Sequence, residues 1–206
     1  MTQWRLLSRA PSVSSINRWL KSAGLIVPSK PEVKTIFYPA PRLKPDLILQ
    51  AMDWTARYLK GGEKIFVFHT IDTQTHALSQ TLCLDKSTVA ALSHILQAWQ
   101  ELGLPDFLQI DNDSAFNGIG IKWRLGGDFM RLALYFGVEL IFIPPAEPKR
   151  NYLVEGINHL WAISFWNKNH FRHGIAEVKG KSGKFLQCYQ TYAPPALQGL
   201  TIAQAQ

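Results

Sequence analysis

Cysteine is scarce in this chain, and what there is has no pattern. Cys83 and Cys188 form no metal or redox spacing. They read as reduced thiols of a cytosolic protein, with a disulfide as the alternative. His170 and His173 lie upstream of Cys188, but a fourth ligand is missing and zinc is not expected. No apolar run is long enough to cross a membrane, and mean hydropathy is −0.05. The start, Met1-Thr2-Gln3-Trp4-Arg5, has no apolar signal core, so the expected location is cytoplasmic. The six histidines form no recognisable catalytic pair with a serine or cysteine. Internal repeats and low-complexity segments are absent as well.

What is present suits one domain of moderate size with an appendage. The chain has 206 residues, 47% of them hydrophobic and 12% aromatic. Its net charge of +7 is unevenly spread. Residues 1–50 carry eight Lys/Arg against two acids, 51–145 seven against ten, and 146–206 seven against three. Basic flanks around an acidic centre suit a polyanion gripped on either side of a cation-binding pocket.

Periodicity divides the chain into three parts. Residues 1–26 read as helical, with Val13, Ile16, Trp19, Leu20 and Ala23 on one face, Ser12 as N-cap and Gly24 as stop. Residues 27–45 are proline-rich and basic, which predicts a linker. A compact domain is expected over 46–206. Within it, strands are predicted at Asp46–Tyr58, Lys64–Asp72, Thr75–Leu84, Phe107–Ile110 and Val138–Ile143. A hairpin through Asp72-Thr73-Gln74 should join the second strand to the third. Helices are predicted at Ser87–Leu102, at Phe129–Phe136 capped by Asp128, and at Asn151–Asn167. Three antiparallel strands followed by helix, strand, helix, strand, helix imply an α/β layer fold with a mixed sheet.

Three acids stand out in this frame. Asp53 lies in the first strand, Asp111 closes the apolar run Leu108-Gln109-Ile110, and Glu155 follows a proline-rich loop on the last predicted helix. Each has an ordinary role open to it: Asp53 and Asp111 as turn residues, Glu155 as a first-turn acid favoured by the helix dipole. Together they offer hard oxygen ligands of the kind Mg²⁺ requires. Asp72 reads as a turn residue and Asp113 as a spare ligand.

The ordered set Gln50-Ala51-Met52-Asp53-Trp54-Thr55, Gln109-Ile110-Asp111-Asn112-Asp113-Ser114, Phe142-Ile143-Pro144-Pro145 and Pro148-Lys149-Arg150-Asn151-Tyr152-Leu153-Val154-Glu155 resembles the DDE transposases and retroviral-type integrases. The likeness is to the bacterial insertion-sequence branch and covers roughly residues 11–206. It implies a ribonuclease-H-like mixed five-stranded sheet flanked by helices, with an N-terminal helical remnant and a C-terminal helical tail. It also implies Asp53, Asp111 and Glu155 as catalytic ligands of Mg²⁺ or Mn²⁺, acting in phosphodiester hydrolysis and strand transfer at element ends. The implied partners are double-stranded DNA, both element ends and target, and further copies of the chain, in a bacterial nucleoid-associated setting. Lys149, Arg150, Asn151 and Lys168 are the candidate phosphate contacts and Asn112 a supporting residue. Pro11 to Leu25 is similar to the recognition helix and exit of a helix-turn-helix, with Arg18 and Lys21 on its polar face. Too few residues precede it for the full bundle, so a truncated element is expected.

Two positions depart from the family pattern. Asp113 and Tyr152 stand where it usually has Gly. Asp111 and Glu155 are 44 residues apart, longer than in the retroviral branch, with 118–127 as a loop to absorb the excess. A non-catalytic DNA-binding or subunit-pairing remnant, and a ribonuclease-H-like nuclease that cuts without joining, are the alternatives.

Overall fold

The computed structural model describes residues 11–25, 44, 46–113, 116, 127–144, 147–172 and 174–206. The chain divides into two units between residues 40 and 41. In the first, α1 spans Val13–Ser22. The Ser12 hydroxyl accepts the Ser15 N–H at 3.2 Å, an N-cap that satisfies one of the orphan donors of the first turn. No α1 residue is buried, and Val13, Ile16, Trp19 and Leu20 are exposed. The expected linker, 27–45, lies outside the described residues except for Lys44.

The second unit is built on five strands: β1 (Leu49–Tyr58), β2 (Lys64–Asp72), β3 (Leu78–Cys83), β4 (Phe107–Ile110) and β5 (Glu139–Phe142). Their order across the sheet is β3-β2-β1-β4-β5. The β3-β2-β1 part is antiparallel, whereas β4 runs parallel to β1 and β5 parallel to β4. This is the expected mixed five-stranded sheet, flanked by helices. α2 (Thr88–Leu102) and α3 (Asp128–Tyr135) follow β3 and β4. α4 (Tyr152–Trp161), α5 (Gly174–Gln190) and the short α6 (Ile202–Ala205) follow β5.

Alternation along the strands sends each side chain to one of two cores. Met52, Phe68, Leu108 and Ile110 pack with Ile95 and Trp99 of α2 and Phe129 of α3. On the opposite face, Ile65 and Val67 meet Trp161, Val178 and Phe185, while Ala51 and Ile71 meet Val154 and Ile157. The two sets of helices therefore sandwich the sheet, and α4 lies against the same face as Ala51.

β1, β3, β5 and α2 start one to three residues later than expected, and two differences go further. α3 is capped by Gly127, not by Asp128, which sits inside the first turn and ion-pairs loosely with Arg131. The single helix expected over Asn151–Asn167 is three segments: a 3-10 turn at Pro148–Asn151, α4, and a π turn at Ala162–Trp166. Asn167 N–H reaches the Ala162 carbonyl at 2.9 Å, the five-residue step of a π turn. That extra residue per turn lets Trp161, Phe165 and Trp166 all pack in the same cluster. The hairpin at Asp72 forms as expected: its carboxylate accepts the N–H groups of Gln74 and Thr75. Both cysteines are free thiols. No helix among the described residues is long and apolar enough to cross a membrane.

His94 ties α2 to the sheet. Its Nε2 meets Thr70 Oγ1 at 2.8 Å and its Nδ1 meets Thr81 Oγ1 at 2.8 Å. Complete burial, reinforced by nearby His69, holds its pKa down at about 3. His69, equally buried, is lowered to about 4. Both are neutral when folded and regain an ordinary pKa near 6.5 when unfolded, so the unfolded chain binds more protons below that pH. The stability they contribute is complete above pH 6.5 and lost as pH falls toward 4 and 3. Each histidine should contribute roughly 1.4 kcal/mol per pH unit to the loss of stability below pH 6.5 that urea melts report. His94→Gln, which cannot charge, should lower the slope below pH 6.5 by roughly 1.4 kcal/mol per pH unit. An equal slope in both proteins would mean that His94 does not titrate as stated.

Candidate active site

The strand register brings the two aspartates together. β1 and β4 are parallel with Leu49 opposite Phe107, Gln50 opposite Leu108 and Ala51 opposite Gln109. Continuing that register by two residues sets Asp53 level with Asp111, just past the end of β4. Asp53 has the parity of Ala51 and Asp111 that of Gln109, so both belong to the sheet face covered by α4. α4 is anchored there by Val154, Ile157 and Trp161. Glu155 is exposed on its first turns, and Asn158 lies one turn further along.

Asn158 closes the gap between helix and strand, its Nδ2 donating to Asp53 Oδ2 at 2.8 Å. Asp111 Oδ1 accepts the Asp113 N–H at 2.9 Å, a turn that shapes the exit from β4. Asn112 Nδ2 donates to the Ile143 carbonyl at 2.6 Å, which fastens that exit to the end of β5.

Burial is the main influence on Asp53 and raises its pKa to about 7. The negative charges of Asp111 and Glu155 push it further up, while the Trp54 N–H and the Asn158 amide pull it down. One carboxyl thus feels both of the other acids. Asp111 is also raised, first by burial and then by Asp113, against the opposing effects of the Asp113 N–H and Lys86. Lys86 is a residue the sequence reading passed over. Its Nζ pairs with Asp113 at 2.8 Å and lies 4.1 Å from the centre of the Trp54 ring. Asp113 therefore holds a cation beside Asp111.

The donor chemistry suits a hard divalent cation: two carboxylates side by side and a third on the overlying helix. Mg²⁺ is commonly held by one or two carboxylates and completes its shell with water. Asp53 and Asp111 meet that requirement. Among the described residues, no three His, Cys, Asp or Glu side chains converge closely enough to cage an ion.

The candidate DNA contacts have different fates. Lys168 is exposed. Arg150 is half-buried and paired with Glu147. Asn151 is 4% exposed, and its Oδ1 faces Gln109 Nε2 at 3.3 Å. That burial corrects the reading of Asn151 as a DNA contact, because the side chain is turned into the fold and joins the start of α4 to β4. The side chain of Lys149 lies outside the described residues, as do His173 and the expected loop from 118 to 126. Arg18 and Lys21 are exposed on α1, in the other unit. Sequence reasoning missed Asn158 although its signal was present: three residues after Glu155 on a helix is the same face.

No protein-family model and no curated protein sequence matches the chain. Solved structures do. A simian T-cell lymphotropic virus intasome in complex with PP2A regulatory subunit B56 gamma is similar with a TM-score of 0.63 and 17% identity, over 76% of this chain and 53% of that one. The chain thus spans about half the length of that intasome chain. The HTLV-2 integrase catalytic core domain in complex with magnesium, in its trimeric form, is similar with a TM-score of 0.56 and 19% identity, over 76% and 94%. The catalytic core domain of BIV integrase has a TM-score of 0.54 and 15% identity, over 75% and 90%. At these identities the likeness is one of fold: the second unit of this chain has the ribonuclease-H-like fold of retroviral integrase catalytic cores.

Proposed function

We propose that this chain is a metal-dependent polynucleotidyl transferase of the DDE transposase and integrase kind, from the bacterial insertion-sequence branch. It would cut phosphodiester bonds at element ends and join the freed 3′-hydroxyl to target DNA. One observation carries this reading. Asp53 on β1 and Asp111, just past the end of the parallel neighbour β4, come level when the strand register is continued by two residues, and Asp53 feels the charges of both Asp111 and Glu155. The HTLV-2 core of the same fold is described in complex with magnesium, which supports a divalent ion here.

Asp53 and Asp111 would hold the first Mg²⁺ or Mn²⁺, and Glu155 would complete a second site. The bound ions would activate a water or 3′-hydroxyl and offset charge on the phosphate oxygens. Asn158 keeps one oxygen of Asp53 hydrogen-bonded and so fixes the carboxylate plane. Asn112 holds the Asp111 turn against β5. No protein nucleophile is required, so catalysis rests on positioning and charge. Lys168, together with Lys149 and Arg150, would contact phosphates, and work on two element ends calls for a homo-oligomer on DNA. Arg18 and Lys21 would add contacts from α1.

A second reading has its own support. Lys86 and Asp113 already place a cation beside Asp111, as suits a non-catalytic DNA-binding or subunit-pairing protein. A nuclease that cuts without joining is the third.

Strand transfer on an oligonucleotide substrate with Mg²⁺ or Mn²⁺ separates the three. Wild type should produce joined products, and Asp111→Asn should lose roughly a thousandfold in rate, matching several kcal/mol of lost charge stabilisation. Equal behaviour of the two proteins would end the catalytic assignment. Hydrolysis without joined products would select the nuclease.

The Asp53 carboxyl gives a test that needs no DNA. Folding raises its pKa from 3.8 to about 7, so the folded chain holds a proton that the unfolded chain releases between those values. Its contribution to stability therefore falls as pH rises through that window. In metal-free buffer at pH 8, Asp53→Asn should be more stable than wild type by about 1–2 kcal/mol, or a few degrees in Tm. The gain should vanish near pH 4. Millimolar Mg²⁺ should stabilise wild type alone and narrow the gap. A variant no more stable than wild type at pH 8 would contradict the electrostatic picture.

A further inference from the structure

Asp53, His69 and Gln80 form a row across three strands. Asp53 is the register partner of His69 on β2, and His69 is the partner of Gln80 on β3. All three belong to the face covered by α4 and α5. The hydrogen bonds along this row form one unbroken chain. Ser182 on α5 bonds to Gln80 Oε1. Gln80 Nε2 meets His69 Nε2 at 2.6 Å, and His69 Nδ1 meets Asn158 Oδ1 at 2.7 Å. Asn158 Nδ2 then reaches Asp53 at 2.8 Å. Ser182, Gln80 and His69 are all buried.

The direction of every bond follows from one end. An ionised Asp53 can only accept, so Asn158 must donate through Nδ2, which leaves its Oδ1 as an acceptor. His69 must then carry its proton on Nδ1. Its ring is neutral because burial disfavours the charged form, so Nε2 is a bare acceptor. Gln80 must donate to that nitrogen, which turns its Oε1 toward Ser182, and the serine hydroxyl must donate in turn. No member has a choice once Asp53 is charged.

We propose that Ser182, Gln80 and His69 are positioning residues that act through Asn158 to hold the Asp53 carboxylate in its ion-binding orientation, coupling α5 to the candidate active site. None of the three touches the reacting atoms. A ligating carboxylate whose partners are themselves locked loses less freedom when it takes up a cation. The row also explains two polar residues, His69 and Gln80, placed where aliphatic neighbours would otherwise fill the core. This inference rests on the metal-binding reading given above, and its test separates the two.

The first measurement needs no substitution. In the ¹⁵N-histidine-labelled full chain at pH 9, where Asp53 is ionised, NMR should show His69 as the Nδ1–H tautomer. Its signal is identified by through-space contacts to Trp161, whose ring centre lies 6.0 Å away. An Nε2–H ring, or a mixture of both tautomers, would overturn the proposal. The second measurement uses Ser182→Ala, which removes one hydroxyl at the end remote from Asp53. Mn²⁺ binding followed by calorimetry should weaken by roughly 3- to 10-fold, and the His69 signal should shift toward mixed tautomers. Unchanged Mn²⁺ affinity together with an unchanged His69 signal would also overturn it. Should wild type take up no Mn²⁺, the metal reading falls, while the tautomer still decides whether the row is ordered as described.

Discussion

Strand register is the constraint on which the rest of this structure depends. Because side chains alternate across a sheet, the pairing of Asp53 with His69 and of His69 with Gln80 decides which core each residue enters. A slip of one residue between β1 and β2 would turn Asp53 and His69 to opposite faces. The same slip would carry Ile65 and Val67 out of contact with Trp161. The apolar residues therefore enforce the register, and the polar row follows from it. Fully burying each large apolar side chain is worth roughly 1.5–3 kcal/mol, so the aliphatic positions outvote the polar ones.

α4 translates that register into a site. Its buried edge, Val154, Ile157 and Trp161, seats it on the sheet, and the seat determines where Glu155 and Asn158 come to rest. The π turn that follows lets Phe165 and Trp166 join Trp161 in the cluster beneath α5. α4 is thus held from both ends: by this aromatic cluster at its C-terminus and by Gln109, bonded to the Arg150 carbonyl at 2.8 Å, near its N-terminus. A helix pinned in this way can hold an amide against Asp53 while leaving Glu155 on the exposed side. The raised pKa of Asp53 is the tension that remains, because burial and the two neighbouring acids disfavour its charge.

Much of this was legible in the chain itself. β2 and β4 run over the expected residues, since alternation or an unbroken apolar run between turn residues defines both ends. α2 differs only in that Ser87 is the cap, accepting the Ala90 N–H at 3.2 Å. The fold's mixed sheet followed from the order of periods. Other elements resisted reading. Gly127 caps α3 where Asp128 offered the better side chain, because the cap is decided by backbone conformation. The break after Trp161 has no proline or glycine to announce it; packing of three aromatics imposes it. Asn151 looked like a surface residue beside two basic ones, yet its oxygen is needed by Gln109, a partner 42 residues away.

By itself the sequence determined most of the elements and the faces they would bury, though Asp53, read as near a strand end, lies in the middle of β1. These depend on residues within a few positions of one another, through period, capping and turn chemistry. Only the tertiary structure decided that Asp111 would come level with Asp53, that Asn158 would bridge helix to strand, and that a row of polar groups would connect α5 to the candidate site. Those outcomes depend on parallel pairing and helix docking between segments far apart in the chain. So do burial and the local field, which belong to a residue's neighbours in space and have no counterpart in its neighbours in sequence.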